Sequence, residues 1–433
     1  MKTNRRVAIT GLGAVSPLGH DVVSTWDRLM AGDSGIAEIS IFDAHAFPTT
    51  IAAEVKGFKP HASRVHKETR FAMPFTHFAL EAAAQAMDDA SLNSKSVSLG
   101  RFGVVVGSGM MTADFDYLHR FQTTCAIDGV VDWSKLLENS ADFYRLTDFG
   151  KTTSNTGLSL LIQHFGLHGY ASSVHTACAS GGQALGLAMN VIRRGEADCM
   201  LAGGFDSMIT PLGLSSFCLL GALSTDNADP AKASRPFDAT RNGFVLGEGA
   251  AFLILEDWDH AQARGAKIYA ELAGEGNTLS SYRITDSPPD GSGARQAIEQ
   301  AMLDAGVQPE SVDYINAHGT STQMNDLSET NAIKGALGAH AMSVPVSSTK
   351  SQTGHLIAAA GALEAVFSVL SIQSSWLPKT ANLTVSDPAC DLDYVVDGPR
   401  KKSLGVVLSN SFGFGGSNSC LCFKHPDFAG ESA

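Results

Sequence analysis

No CxxC pair occurs in this 433-residue chain, and its seven cysteines are an odd number. Neither a disulfide framework nor a cysteine zinc site is therefore indicated. A GxxxxGK[ST] phosphate loop and an HExxH metal motif are also missing. Charged residues are only 17% of the chain and sum to −13. That balance argues against general nucleic-acid binding, though it allows a local basic patch facing an acidic partner. No segment approaches the roughly 18 uninterrupted apolar residues of a membrane helix. The opening MKTNRRVAITGLG has no long apolar run ahead of a cleavage site, so a signal peptide is not expected. The expectation is a soluble, cytoplasmic protein without a membrane or nucleic-acid partner.

The composition supplies a large core. Hydrophobic residues make up 44% of the chain, and forty-three glycines suit the many tight turns of an α/β protein. Apolar β-branched runs alternate with longer stretches of helical period. VAIT (7–10), FGVVVGSG (102–109), SSVHTA (172–177) and CMLAGG (199–204) read as strands, while 75–90 and 179–195 read as helices. The rhythm then restarts. Strands are expected at 251–256, 313–319, 344–350 and 406–416, and helices at 294–306 and 356–373. This predicts two related α/β halves, 1–260 and 261–433. Residues 112–157 hold the poorest fit, an aromatic and charged stretch without a clean period that reads as a surface excursion or cap.

Four segments could carry chemistry. In TACASGG (176–182), Cys178 lies between a β-rich run and a helix of small residues. A helix N-terminus would favour its thiolate and could hold an oxyanion. A buried core cysteine is an equally good reading of the same residues. In NAHGTST (316–322), His318 follows an apolar strand and is either structural or catalytic. In STKSQTGHLIAAAG (348–361), Lys350 and His355 sit in a polar turn before a very apolar helix, where such residues are costly without a task. In SNSFGFGGSNS (409–419), Phe412 and Phe414 stand among small residues that let a backbone N–H approach a substrate. A dinucleotide site is disfavoured, because GLGAVS (11–16) has Ser16 where the third glycine belongs. A metal site on His318 and His355 lacks a carboxylate at a recognised spacing.

Taken with VAITGLGAVSPLG (7–19), VVGSG (105–109) and SRPFDATRNGFVLGEGA (234–250), these segments resemble the β-ketoacyl-acyl carrier protein synthases of the condensing-enzyme family, most of all the elongating synthase II type. The resemblance implies a thiolase fold: two similar α/β halves forming a layered αβαβα core. It implies decarboxylative condensation of an acyl group on Cys178 with malonyl-acyl carrier protein, in fatty acid or in polyketide and polyene biosynthesis. A thiolase-like acyltransferase and a subunit of a specialised ketosynthase heterodimer are the alternatives. The implied roles fall on Cys178 as nucleophile, His318, His355 and Lys350 as catalytic partners, and Glu364 as a buried structural glutamate. Phe414 would be the gate, its N–H and that of Cys178 forming the oxyanion hole. Met110 and Phe217 would line the acyl pocket, Thr320 and Thr322 would bind pantetheine, and Lys67 and Arg70 would dock the carrier protein. The enzyme would need no cofactor of its own, since phosphopantetheine belongs to the carrier. A homodimer is implied, with a chain-length-factor heterodimer as the variant. Three positions depart from the pattern: Met110 replaces an isoleucine, Arg283 a histidine and Gly221 an arginine.

Overall fold

The computed structural model describes residues 5–65, 67–92, 97–109, 115–143, 146–153 and 155–428. Eleven strands share one hydrogen-bonded array. In chain order they are β1 (Val7–Val15), β2 (Phe102–Ser108), β3 (Ala171–Val174), β4 (Cys199–Ser207), β5 (Glu248–Asp257), β6 (Ala270–Leu279), β7 (Tyr314–Asn316), β8 (Pro345–Ser347), β9 (Asp393–Tyr394), β10 (Val406–Phe412) and β11 (Ser417–Lys424). Their spatial order is β9-β8-β7-β10-β11-β6-β1-β5-β4-β2-β3. β1 and β6 meet over only two residue pairs, Ala8 with Glu271 and Ile9 with Ala270. Outward from that short join the two sides repeat each other. β1 is followed by antiparallel β5 and β4, then parallel β2 and β3. β6 is followed by antiparallel β11 and β10, then parallel β7 and β8.

Helices complete five layers. α1 (Pro74–Asp89) covers β1, β5 and β4, and α4 (Ser292–Ala305) covers β6 and β11. Between the two sheets lie α2 (Ser180–Arg193) and α6 (Ala360–Ser374), which touch each other and strands of both sides. α6 is buried along nearly its whole length. With the turn before it, the span Ile357–Ser374 is apolar and long enough to cross a membrane by length and composition, yet it is 83% buried in the core. The central layer explains that apolarity, since a helix enclosed on all sides has no face to leave polar. Each sheet contributes strand ends to one edge of this layer, and the candidate residues gather there.

Two sequence expectations change. β1 extends past the expected VAIT (7–10), through Gly11 and Gly13 to Val15. A Cβ on Gly13 would lie 1.8 Å from the Ala82 carbonyl oxygen of α1, so glycine here permits close strand–helix packing. The aperiodic stretch is largely helical, with helices at Phe115–Cys125, Trp133–Phe143 and Leu146–Thr152 and a hairpin between the first two. It leaves Val130, Trp133, Leu137 and Phe149 exposed. With these apolar side chains exposed, the stretch offers no buried period to read.

Candidate active site

β3 ends at Val174, and the chain turns through Ala177–Ala179 before entering α2. Ala177 has φ +49, a conformation that is costly for a residue with a Cβ. Ser180 locks the turn by donating its hydroxyl to the Ala177 carbonyl at 2.7 Å and accepting the Thr176 N–H at 2.8 Å. Cys178 is thus held just ahead of the helix, 5% exposed. Its own N–H and that of Phe414 both reach its sulfur. The expected thiolate is not the resting form. Burial pushes the thiol up to about 12, Lys350 and the two N–H groups pull it down without prevailing, and Asp206 adds to the rise.

The Phe414 loop joins β10 to β11 and lies on the cysteine turn. A Cβ on Gly413 would come within 2.6 Å of the Thr176 carbonyl oxygen and 3.2 Å of the Cys178 nitrogen. Only a glycine lets the two backbones approach so closely.

His318 follows β7 by two residues and is 2% exposed. A residue that the sequence reading missed fixes its backbone. Glu329, on α5 (Gln323–Leu337), accepts the His318 N–H at 2.8 Å, the Gly319 N–H at 2.7 Å and the Asn410 amide at 3.0 Å. Burial raises the Glu329 carboxyl to about 7. His355 lies between the short helix Lys350–Thr353 and the turn Ile357–Ala359. The Ile357 N–H donates to its Nδ1 at 3.3 Å. The acceptor role of Nδ1 assigns the proton of the neutral ring to Nε2, which has no hydrogen-bond partner among the described residues. The two imidazoles meet edge to face, centroids 5.2 Å apart. Both are held well below the usual histidine range, first by burial and then by the Lys350 cation, so both stay neutral.

Lys350 is 1% exposed and forms an ion pair with Glu364 on α6. Burial raises the Glu364 carboxyl to about 7 although Lys350 opposes the rise. One potential ligand atom each from Cys178, His318 and His355 lie within 4.8 Å of one another. The same spacing suits a metal ion, but Lys350 already disfavours positive charge on both rings. A second such group, Cys199, Glu256 and His260, has its carboxylate engaged by Arg264, His260 and Thr10.

The three groups open into a cavity of about 260 Å³, also lined by Thr320, Thr322 and Phe414. The threonine hydroxyls lie 2.9 Å apart. On the inner side of Cys178 an apolar cluster includes Phe217, Phe244, Leu214 and Ile357. Phe217, on α3 (Pro211–Leu219), sits with its ring centroid 6.4 Å from that of Phe414. Lys67 and Arg70 are exposed on the turn Lys67–Phe71 and do not line the cavity. Met110 lies outside the described residues.

Comparison with known proteins is consistent along the chain. The family description "Beta-ketoacyl synthase, N-terminal domain" matches residues 4–261, and "Beta-ketoacyl synthase, C-terminal domain" matches 269–384. The 3-oxoacyl-[acyl-carrier-protein] synthase 2 of Coxiella burnetii is 43% identical over 417 residues, 96% of this chain and 98% of that protein. That of Synechocystis sp. is 43% identical over 420 residues, 97% of this chain and 98% of that protein. Among solved structures, a type II polyketide ketosynthase in complex with its acyl-carrier protein is similar with a TM-score of 0.87 at 35% identity, covering 98% of this chain and all of that one. A beta-ketoacyl synthase from Burkholderia phymatum gives 0.87 at 34% identity, covering 97% and 99%.

Proposed function

This chain belongs to the β-ketoacyl synthase family, and from that premise we propose how its residues divide a decarboxylative condensation between acyl and malonyl groups carried on acyl carrier protein. The enzyme is an acyltransferase with the thiolase fold. One observation carries the residue assignment: a thiol and two neutral imidazoles converge at one end of a cavity, with two backbone N–H groups at the sulfur.

In the first half-reaction, Cys178 attacks the thioester carbonyl of the acyl carrier. The N–H groups of Cys178 and Phe414 hold the oxyanion, each such donor being worth about 3 kcal/mol. The carrier leaves as its thiol, taking the proton that Cys178 gives up, and the acyl chain remains on sulfur. The apolar cluster around Phe217 receives that chain. In the second half-reaction, malonyl carrier enters along Thr320 and Thr322. His355 donates its Nε2–H, and His318 a second N–H, to the malonyl thioester oxygen. The bond to the carboxylate breaks, CO₂ leaves, and the electron pair is held as the enolate. The enolate carbon attacks the acyl carbonyl, the C–S bond to Cys178 breaks, and the departing thiolate takes a proton from solvent, the one proton that decarboxylative condensation consumes. Neutral imidazoles suit this work, because they can donate while placing no formal charge beside Lys350. Lys350, neutralised by Glu364, organises charge and does not attack. No step transfers electrons to a carrier, so the pantetheine arm of the partner suffices.

Lys67 and Arg70 offer cations to acidic groups of the carrier. The edge of β3, which pairs only with β2 among the described residues, is the surface on which a second copy would pair. A solved ketosynthase/chain length factor, 31% identical at a TM-score of 0.86, is the relevant heterodimeric comparison. Intact Cys178, His318 and His355 favour a catalytic subunit over a scaffold. The test is incubation with acyl-carrier protein and malonyl-carrier protein, read by mass spectrometry. An acyl adduct on Cys178 and a product two carbons longer are expected. Absence of both overturns the assignment, and the product length tells fatty acid from polyketide use.

A further inference from the structure

Asp206, at the end of β4, takes no part in the steps above, yet it is 1% exposed and lies close enough to influence the Cys178 thiol. Its Oδ2 accepts the Ala358 N–H at 3.1 Å, the Ser207 N–H also reaches the carboxyl, and Oδ1 is without a close hydrogen-bond partner among the described residues. The room for this carboxyl comes from Gly109, where a Cβ would lie 2.2 and 2.4 Å from its two oxygens. Ala358 belongs to the turn after His355, and that turn is strained. Ile357, a β-branched residue, has φ +48. Such conformations persist only where their surroundings over-determine them. At one end the His355 backbone is clamped, its N–H donating to Val245 and its carbonyl accepting from Gly247, at 2.8 and 2.9 Å. At the other end stands Asp206. The strain has a use, because it turns the Ile357 N–H back onto His355 Nδ1 and so leaves the ring proton on Nε2.

We propose that Asp206 is a positioning residue: by anchoring Ala358 it holds the strained Ile357 turn, and thereby the tautomer and aim of His355. This rests on the reading of His355 as a donor in malonyl decarboxylation. The two half-reactions separate the alternatives, because acylation of Cys178 uses the Cys178 and Phe414 N–H groups and does not need His355 Nε2–H. In Asp206→Ala, malonyl decarboxylation should fall at least tenfold in kcat, with KM for malonyl carrier and the rate of Cys178 acylation within twofold of the parent. Asp206→Asn keeps an acceptor for Ala358 and should stay within about threefold of the parent in both. Decarboxylation within twofold of the parent in Asp206→Ala would overturn the proposal. So would a parallel loss of acylation and decarboxylation, or an Asn variant as impaired as the Ala variant. A parent enzyme that does not decarboxylate malonyl carrier at all would instead sink the functional reading itself.

Discussion

Removing the Lys350 cation should destabilise the protein by about 3–5 kcal/mol, whereas removing both members of its ion pair should cost far less. The side chains of Lys350 and Glu364 are 2% and 3% exposed, and Glu364 Oε2 has no hydrogen-bond partner among the described residues. Desolvation of each charge is therefore offset almost entirely by the other. Taking one away leaves an uncompensated buried charge, for which about 3–5 kcal/mol is the usual cost, while an apolar pair of similar volume is often neutral. Lys350→Met, Glu364→Leu and the double variant form the cycle, followed by urea unfolding at pH 8. That pH lies above the value of about 7 to which burial lifts Glu364 beside Lys350, so the pair is ionised in the parent. Each single variant should lose several kcal/mol, and the double should lie within about 2 kcal/mol of the parent. Additive single effects, or singles costing less than about 1 kcal/mol, would refute the account of the pair. The same perturbation has a catalytic signature. Lys350 helps hold both imidazoles below their ordinary range, so its loss should let them protonate more readily. The acid limb of the decarboxylation profile should then move to higher pH in Lys350→Met.

Two further outcomes follow from the geometry. His355 is buried neutral, its folded pKa depressed, so the unfolded chain binds more protons below about pH 6.5. The stability contributed is present above that value and is lost as pH falls, at up to about 1.4 kcal/mol per unit. His355→Asn should remove this share, and urea midpoints of parent and variant at pH 7.5 and 5.5 should diverge accordingly. Gly413→Ala would drive a methyl against the Thr176 carbonyl and lift the Phe414 N–H from Cys178. Loss of one oxyanion donor corresponds to about 100-fold or more in kcat, measurable as slower acylation of Cys178.

The strands and helices that frame the site were readable because their periods are strong and their ends carry small residues. Cys178, His318, Lys350, His355 and Phe414 stood out as candidates, each at a junction between a strand and a turn or helix, but their roles came only from the family resemblance. The distances that make them one site arise only when strand ends from both sheets meet at α2 and α6. Glu329 was hidden for a different reason. It lies in QMNDLSETNAIKGAL, a helix so polar that its residues read as solvated, although Asp326, Ser328, Glu329 and Thr330 are all buried. Burial of a carboxylate is set by what packs over it, here the His318 turn and Asn410, and no local pattern records that. Asp206 escaped notice likewise, since an acidic residue closing a strand looks like the start of a loop. The thiolate expected of Cys178 followed from helix proximity alone. Enclosure outweighs the helix end, and that enclosure comes from segments such as Phe217 and Phe414 that are distant in the chain.

The central claim is a division of labour between a sulfur that carries the acyl chain and imidazoles that bring about decarboxylation. The most direct measurement uses Cys178→Gln with malonyl-carrier protein, following CO₂ release and product mass together. The account predicts that decarboxylation to acetyl carrier persists while no acyl-enzyme and no β-ketoacyl product form. If decarboxylation disappears along with condensation, the assignment of that step to His318 and His355 is wrong.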